Sequence, residues 1–238
     1  MSTDRPLKNQ LALVTGASRG IGAATAIALG AAGAHVILTA RSAGALEEVE
    51  EVIHQAGGSA TIAPLDLTES DSIGRLAAAA TERWSGLDLL VLNAATLGSL
   101  APVPAIDAKE LAAVLTLNVS AQAALIAAFD PLLRAATAGK VIGITSSVGR
   151  KPRAYWGAYG ASKAAFETLL LAYGDELAEI SRVRAAIVDP GATRTRMRAR
   201  AFPGEDPQSV RPPEAVAARI VTLAQDGFAP GHFERVEA

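Results

Sequence analysis

The sequence predicts an α/β fold, in which a doubly wound parallel β-sheet is flanked by helices on both faces within a single domain of residues 1–238. Short apolar runs alternate along the chain with longer helical patterns, and these runs are continuous rather than alternating in hydrophobicity. Continuous apolar runs are typical of strands that are buried on both faces. The repeated order of strand, helix and strand indicates parallel strands joined by helical crossovers.

Six apolar runs are predicted as strands because each is short and continuously apolar. They are residues 11–15, 35–40, 60–65, 87–93, 140–146 and 183–189. Between them, an alanine-rich helical pattern follows the first strand, amphipathic patterns follow the next two, and broad apolar patterns with small residues follow later. These predicted helices cover residues 23–33, 42–57, 69–84, 107–134 and 158–181.

Charge and composition exclude several classes of function. The 22 basic and 24 acidic side chains nearly balance, so neither a nucleic acid nor a membrane surface is an expected partner. The chain has no cysteine and only three scattered histidines, so no disulfide and no metal site is expected. The first ten residues are polar without signal-peptide character, and no apolar run approaches the ~20 residues of a membrane span. A cytoplasmic protein is therefore expected.

A glycine-rich segment connects the first strand to the first helix. In TGASRGIG, Gly16, Gly20 and Gly22 follow the spacing G-x-x-x-G-x-G rather than G-x-G-x-x-G. Such a turn lets backbone N–H groups approach a phosphate, and the helix N-terminus adds a partial positive charge. A single glycine could serve only a tight turn, but three in this connection favour dinucleotide binding and a Rossmann-type sheet.

The stretch YGASK places Tyr159 four residues before Lys163, on one face of a predicted helix. A free tyrosine titrates near pH ~10, and an adjacent ammonium group would lower that pKa. The same spacing also fits a tyrosine and a lysine that only pack side by side, so the spacing alone leaves both interpretations open.

The glycine loop and YGASK together resemble the classical short-chain dehydrogenase/reductase family, and the resemblance covers essentially the full length of the chain. Four more segments follow in the order found in the family: LDL with Asp66, LNAA with Asn93, LNVS with Asn118, and DPGATRT at 189–195. The family motif N-N-A-G here reads Leu-Asn-Ala-Ala. The missing glycine bears on how closely the backbone passes the cofactor ribose.

The resemblance implies a catalytic set of Ser146, Tyr159, Lys163 and Asn118. Tyr159 would donate a proton to a carbonyl oxygen or accept one from an alcohol, while Lys163 would lower the tyrosine pKa and hold the nicotinamide ribose. Asn118 would support a water that links the lysine to solvent, and the serine would bind the substrate oxygen. The usual family separation of thirteen positions from the tyrosine selects Ser146. Ser147, one strand residue further on, would point to the opposite side.

The residues at the end of the second predicted strand indicate which cofactor the protein binds. Sites for NAD usually place an acidic residue there, but this chain has Ala40 followed by Arg41, and Arg19 in the glycine loop adds a second cation. Guanidinium groups bind a 2′-phosphate that a carboxylate would repel, so NADP(H) is predicted rather than NAD(H). The alternative is that both arginines are solvated surface residues. Besides Tyr159 and Lys163, the expected cofactor contacts are Gly16, Ser18, Arg19, Gly20, Ile21, Gly22, Arg41, Ser42, Asp66, Leu67, Asn93, Ala94, Pro190, Gly191, Thr193 and Thr195.

The family places its variable substrate loop after the DPG segment, so residues 192–212 are expected to form a lid over a small-molecule carbonyl or alcohol substrate. A second basic segment, GRKPR at 149–153, follows the serine. The lid arginines fit either a solvated, mobile loop or a rim that attracts an anionic substrate, such as a carboxylate, a phosphate or a carrier thioester. These arginines are Arg194, Arg196, Arg198 and Arg200.

The predicted function is an NADP(H)-dependent oxidoreductase that interconverts a carbonyl and a secondary alcohol. One alternative is a non-catalytic dinucleotide-binding or sensing protein on the same fold, although such proteins typically lack the tyrosine or the lysine. Another is an isomerase, dehydratase or epimerase with the same Tyr-x-x-x-Lys chemistry, although those relatives are usually longer. In similar family members, helices equivalent to 107–134 and 158–181 form a four-helix interface, so a homotetramer, or a homodimer, is expected.

Overall fold

A seven-stranded, wholly parallel sheet forms the centre of the protein, and its strand order is β3-β2-β1-β4-β5-β6-β7. The structure is a computed structural model that describes residues 5–237, so both ends of the expected 1–238 domain lie outside the described residues. The strands are β1 Leu11–Thr15, β2 His35–Ala40, β3 Ser59–Pro64, β4 Leu89–Leu92, β5 Lys140–Ile144, β6 Arg184–Asp189 and β7 His232–Arg235.

Helices cover both faces of this sheet, which confirms the predicted fold class. Neighbouring residues of β1 enter two different apolar clusters: Leu13 packs with Phe129 and Phe166, whereas Val14 packs with Leu29 and residues of the opposite face. Both faces are therefore buried, which explains the continuous apolar runs. The helices are α1 Gly20–Ala31, α2 Ala43–Gln55, α3 Ser72–Arg83, α4 Ala108–Leu115, α5 Ala121–Ala135, α6 Gly157–Leu177, α7 Arg196–Ala201 and α8 Pro213–Asp226.

The six predicted strands are present, two with identical bounds and the others with ends that differ by at most two residues, but β7 was not predicted. Its sequence, HFER, is polar at three of four positions, and its residues are half-buried or exposed because it lies at the sheet edge. It pairs with β6 in register, with His232 opposite Ala186 and Arg235 opposite Asp189. The C-terminal segment therefore completes the sheet of its own chain.

The helix predicted over 107–134 is interrupted by a π-helical segment, Thr116–Ser120, between α4 and α5. Such segments are rare and often occur at functional sites, and this one contains Asn118. Within the described residues, the helical run Ala108–Ala135 is long and apolar enough to cross a membrane by length and composition alone, although no such run was expected from the sequence. A core helix passes the same test, and 33% of the run's most apolar window is buried in the molecule.

The strand order reverses between β1 and β4. The connections from β1 lead outward to β2 and β3 on one side, whereas those from β4 lead to β5, β6 and β7 on the other. The loops that follow β1 and β4 therefore diverge, which leaves a crevice at the carboxyl ends of these two strands. In open parallel sheets this switch point is where ligands bind.

Candidate active site

A cleft of about 610 Å³ occupies this crevice. It collects residues from loops that are far apart in the sequence, and it includes every predicted catalytic and cofactor-binding residue except Gly22 and Asn118. The predicted residues that line it are Gly16, Ser18, Arg19, Gly20, Ile21, Arg41, Ser42, Asp66, Leu67, Asn93, Ala94, Ser146, Tyr159, Lys163, Pro190, Gly191, Thr193 and Thr195.

Gly22 lies behind the cleft wall, where it permits a close backbone contact. A Cβ atom on Gly22 would lie 2.2 Å from the carbonyl oxygen of Gly16 and 2.5 Å from Nδ2 of Asn93. No real Cβ atom tolerates such distances, so the position requires glycine. Gly22 thus shapes the loop, and its predicted contact with a cofactor stays a prediction.

The hydroxyl of Thr15 fixes the segment after β4. It donates a hydrogen bond to the carbonyl of Val91 (3.1 Å) and accepts bonds from the backbone N–H groups of Asn93 (2.9 Å) and Ala94 (3.1 Å). The side chain of Asn93 in turn donates to the carbonyl of Thr15 at 2.9 Å. Ala95, which replaces the glycine of the expected motif, lines the cleft. Thr15 received no role from the sequence, because a buried strand threonine gives no distinctive pattern.

An arginine and a carboxylate lie close together near the end of β2. The Arg41 side chain is 77% exposed, and its guanidinium lies 4.0 Å from the carboxylate of Asp66. Hydrogen bonds from the backbone and side chain of Thr68 lower the pKa of Asp66. Ser42 begins α2 as its N-cap and accepts a bond from the N–H of Ala45. The exposed Arg41 guanidinium and the Asp66 carboxylate therefore lie close together in the cleft lining.

Tyr159 and Lys163 lie on the buried face of α6, with exposed fractions of 6% and 4%. The Lys163 ammonium donates to the carbonyl of Ile144 at 2.7 Å and lies 5.8 Å from the centroid of the Tyr159 ring. Burial, opposed by the nearby carboxylate of Glu167, lowers the pKa of Lys163 to about 8. The two side chains are thus brought together in the cleft, as the sequence predicted.

The expected effect of the lysine on the tyrosine is not found in this arrangement. Burial raises the pKa of Tyr159, and the charge of Asp189 at the end of β6 raises it further. The physical reason is that burial removes water from the phenolate, while the Lys163 ammonium bonds to a backbone carbonyl instead of the phenol. Sequence spacing gave the neighbour correctly, but it does not report burial, which raises the pKa of Tyr159.

Ser146 is the second residue after the end of β5, and it lines the cleft. The strand ends at Ile144, so Ser146 is an extended residue that precedes a short 3₁₀ turn, Ser147–Gly149. Ser147 is exposed and is absent from the cleft lining. This placement supports the choice of Ser146. The two serines are separated by the start of the 3₁₀ turn, and not by the alternation of side chains along a strand that the sequence predicted.

Asn118 is buried behind the cleft, where its side chain connects three segments. Its Oδ1 accepts from the N–H of Thr96 and its Nδ2 donates to the Thr96 carbonyl, both at 2.8 Å. Nδ2 also lies 3.0 Å from the hydroxyl of Ser162, which donates to the carbonyl of Tyr159. The Asn118 side chain therefore holds the segment after β4 against α6, and it does not line the cleft.

An aromatic wall lies beside Tyr159. The Trp156 ring is 6.0 Å from the Tyr159 ring in an edge-on arrangement and 5.7 Å from the ring of Phe202. Trp156 lines the cleft together with Met197 and Ala201 of the lid. The sequence gave Trp156 no role, although its position three residues before the tyrosine placed it on the same side of the site.

The segment after β6 is held close to the glycine loop. The Thr193 hydroxyl donates to the carbonyl of Pro190 at 2.9 Å, and the Thr195 hydroxyl caps α7 by accepting from the N–H of Arg198. A Cβ on Gly20 would lie 3.3 Å from the methyl group of Thr195, so the two loops are in near contact. They form opposite walls of the cleft.

The chain is similar in sequence to known proteins. The family model described as short chain dehydrogenase matches residues 10–206. The uncharacterized oxidoreductase YciK of Escherichia coli K12 is 37% identical over 223 residues, covering 92% of this chain and 88% of that protein.

Two solved structures are similar over 100% of both chains. One, described as a short chain dehydrogenase from Shigella flexneri in complex with NADP, is 35% identical with a TM-score of 0.93. The other, described as a short chain dehydrogenase from Escherichia coli CFT073 in complex with NADPH, is also 35% identical, with a TM-score of 0.92.

Replacing Gly22 with alanine should destabilise the protein. We expect Gly22→Ala to lower the free energy of unfolding by roughly 1–3 kcal/mol, because the new methyl group would overlap the Gly16 carbonyl. In the control Gly74→Ala, no atom lies within 4 Å of the added Cβ, and stability should equal or slightly exceed that of wild type. Urea unfolding followed by circular dichroism measures both. Wild-type stability in Gly22→Ala would show that α1 can move away from the loop.

Proposed function

Because the chain belongs to the short-chain dehydrogenase family, we propose that it is an NADP(H)-dependent oxidoreductase that interconverts a carbonyl and a secondary alcohol. The observation that carries this proposal is the convergence of Ser146, Tyr159 and Lys163 on one cleft with the glycine loop. The serine follows β5, the tyrosine and lysine lie on α6, and the glycine loop follows β1, so chance packing within one helix does not account for their convergence. The same convergence argues against a protein that only binds the nucleotide.

The cofactor is NADP(H), and the cleft residues fit it. Two relatives that match over their whole length hold NADP and NADPH. In this chain Arg19, Arg41 and Ser42 line the cleft next to Ala40, so guanidinium and hydroxyl donors are available to a 2′-phosphate and no carboxylate follows β2 directly. When bound, the cofactor supplies or accepts the hydride.

The chain's own residues would handle the proton. We assign Ser146 and Tyr159 to bind the substrate oxygen, with the phenol as proton donor in reduction and proton acceptor in oxidation. Because its pKa is raised, Tyr159 keeps its proton at neutral pH, which suits the reductive direction. Once the proton has moved to the substrate oxygen, the nearby Lys163 ammonium would stabilise the remaining phenolate.

The substrate would lie between the catalytic residues and the lid, residues 192–212. The apolar wall of Trp156 and Met197 favours a compound with an apolar body next to its carbonyl group. The lid arginines give less support to an anionic substrate than their number suggests, because Arg198 pairs with Glu205 and Arg194 bonds to Gln208. An anionic substrate remains the alternative, with Arg196, which also lines the cleft, as a cation that could bind it.

We also propose that residues 1–238 form one dinucleotide-binding domain that assembles as a homotetramer, or as a homodimer, in the cytoplasm, without a nucleic-acid or membrane partner. Most of the apolar window within Ala108–Ala135 is unburied, and Leu169 on α6 is 40% exposed. Apolar helix surface of this kind is typical of an interface between subunits. Light scattering that gives the mass of one chain would contradict the assembly.

A turnover screen tests the function directly. Purified protein is mixed with NADPH and a panel of neutral and anionic ketones and aldehydes, while the reduced-nicotinamide absorbance is followed. We expect turnover with part of the panel, with neutral apolar carbonyls preferred. Tight NADPH binding without turnover of any compound would instead favour a binding or sensing protein, and conversion of substrate without net change in NADPH would favour an isomerase or dehydratase.

Removing the phenol hydroxyl should separate chemistry from cofactor binding. We expect Tyr159→Phe to lower kcat by about 10²–10⁴-fold while NADPH affinity stays almost unchanged, because the glycine loop holds the phosphates. Lys163→Met should weaken both. Tyr155→Phe, a change at a tyrosine that is 60% exposed, is the matched control and should behave like wild type. Steady-state rates and fluorescence titration with NADPH provide the measurements, and an active Tyr159→Phe enzyme would refute the assignment.

Reversing the charge at Arg41 should change cofactor preference. Arg41→Asp is expected to shift the preference from NADP(H) toward NAD(H) by roughly 1–3 kcal/mol, since one charge-assisted phosphate contact is lost and a carboxylate repels the phosphate. The control Arg75→Asp changes an exposed arginine on α3 and should leave the preference intact. Both variants are titrated with both cofactors. An unchanged preference in Arg41→Asp would mean that Arg41 does not contact the 2′-phosphate.

A further inference from the structure

A buried acid lies on α6 one turn beyond Lys163. Glu167 is four residues after the lysine, as Lys163 is four residues after Tyr159, so the three side chains share one face of the helix. Glu167 is only 5% exposed, and it has no part in the proton transfer described above. Burial of a carboxylate at this depth is costly unless it is paired, so its surroundings require an explanation.

Both oxygens of Glu167 are bound by residues that flank Ser146. The hydroxyl of Thr145, the residue just before Ser146, donates to Oε1, and Nε of Arg150 donates to Oε2 at 2.6 Å. Arg150 follows the 3₁₀ turn that Ser146 precedes, and its guanidinium carbon lies 3.4 Å from the ring centroid of Phe233 on β7. The carboxylate therefore connects the catalytic helix to both sides of the serine.

Among the described residues, Glu167 is the acid whose charge acts on Lys163, raising its pKa against the effect of burial. Asp189 on β6 faces Tyr159 and is held by the N–H of Gly191 and by Arg235. The other charged or titratable groups on α6 and on the elements near it are Tyr173, Asp175 and Glu176 on α6, Lys140 on β5, Arg184 on β6, Lys109 and Glu110 on α4, and Asp130 and Arg134 on α5.

We propose that Glu167 is a positioning residue of the active site, whose buried negative charge keeps the Lys163 ammonium protonated while its two hydrogen bonds hold the segment that carries Ser146. A neutral amide at position 167 has only one acceptor oxygen, so it could not accept both bonds and would leave the Arg150 guanidinium without its anionic partner. The same negative charge also acts on the buried ammonium one turn away. The proposal rests on the proposed function only through the role given to Lys163.

The protonation of Lys163 can be measured without a substrate. The chain has five lysines, so protein labelled with ¹³C at lysine Cε gives few signals, and Lys163→Met identifies the relevant one. In wild type this signal should titrate near pH 8. In Glu167→Gln the midpoint should fall by roughly 1 pH unit, because a favourable charge is lost while burial remains. Glu176→Gln, at an exposed position of the same helix, is the control and should leave the midpoint unchanged.

A second variant keeps the test decisive if Glu167→Gln does not fold. Arg150→Gln removes the cation that partly neutralises Glu167, so the Lys163 midpoint should rise. An unchanged midpoint in folded Glu167→Gln, or an unchanged or lowered midpoint in Arg150→Gln, would overturn the proposal. With a carbonyl substrate from the screen, reduction by Glu167→Gln should also decline at a lower pH than in wild type. Since the titration needs no turnover, failure of the proposed function would be distinguishable from failure of this proposal.

Discussion

The contact between Gly22 and the carbonyl of Gly16 determines where helix α1 can begin, and the rest of the cleft depends on that position. Without a side chain at Gly22, the first turn of α1 packs directly on the end of β1 and against Asn93. Asn93 and Thr15 then fix the start of the segment after β4. One backbone approach thus aligns the two loops that diverge at the reversal of strand order, and the cleft lies between them.

Helix α6 supplies the second part of the site, and burial controls its chemistry. The same desolvation raises the pKa of Tyr159 and lowers that of Lys163, so the two effects move the phenol and the ammonium further apart in proton affinity and favour the neutral form of each. Neighbouring charges then act on this background: Asp189 on the phenol and Glu167 on the ammonium. The acid–base properties therefore depend on β6 and on residues around Ser146 as much as on the helix itself.

The sequence was sufficient for the fold class, the family, the oxidoreductase class and NADP(H), because strands buried on both faces and a glycine loop leave strong local patterns. It missed β7, since an edge strand such as HFER needs no apolar run, and it missed the π segment at Asn118, where the side chain bonds to Thr96, a residue distant in sequence. Glu167 was also missed, because nothing in its local sequence shows that it is buried. The burial of Tyr159, which raises its pKa, was missed for the same reason. The catalytic roles remain predictions, although Ser146, Tyr159 and Lys163 do meet in one cleft.

Two hydrogen bonds at the base of the lid affect how the sequence of the lid can vary. Nη1 of Arg211 bonds to the carbonyls of Pro190 (3.1 Å) and Val236 (2.7 Å), which ties the end of the lid to its own beginning and to the C-terminal segment. The residues between these two points form a loop whose ends are tied together by these bonds. Substitutions on its apolar cleft side, at Met197 and Ala201, would change which molecules fit the cleft without altering Ser146, Tyr159 or Lys163, which lie outside the loop. Such a separation lets selection act on substrate choice independently of chemistry.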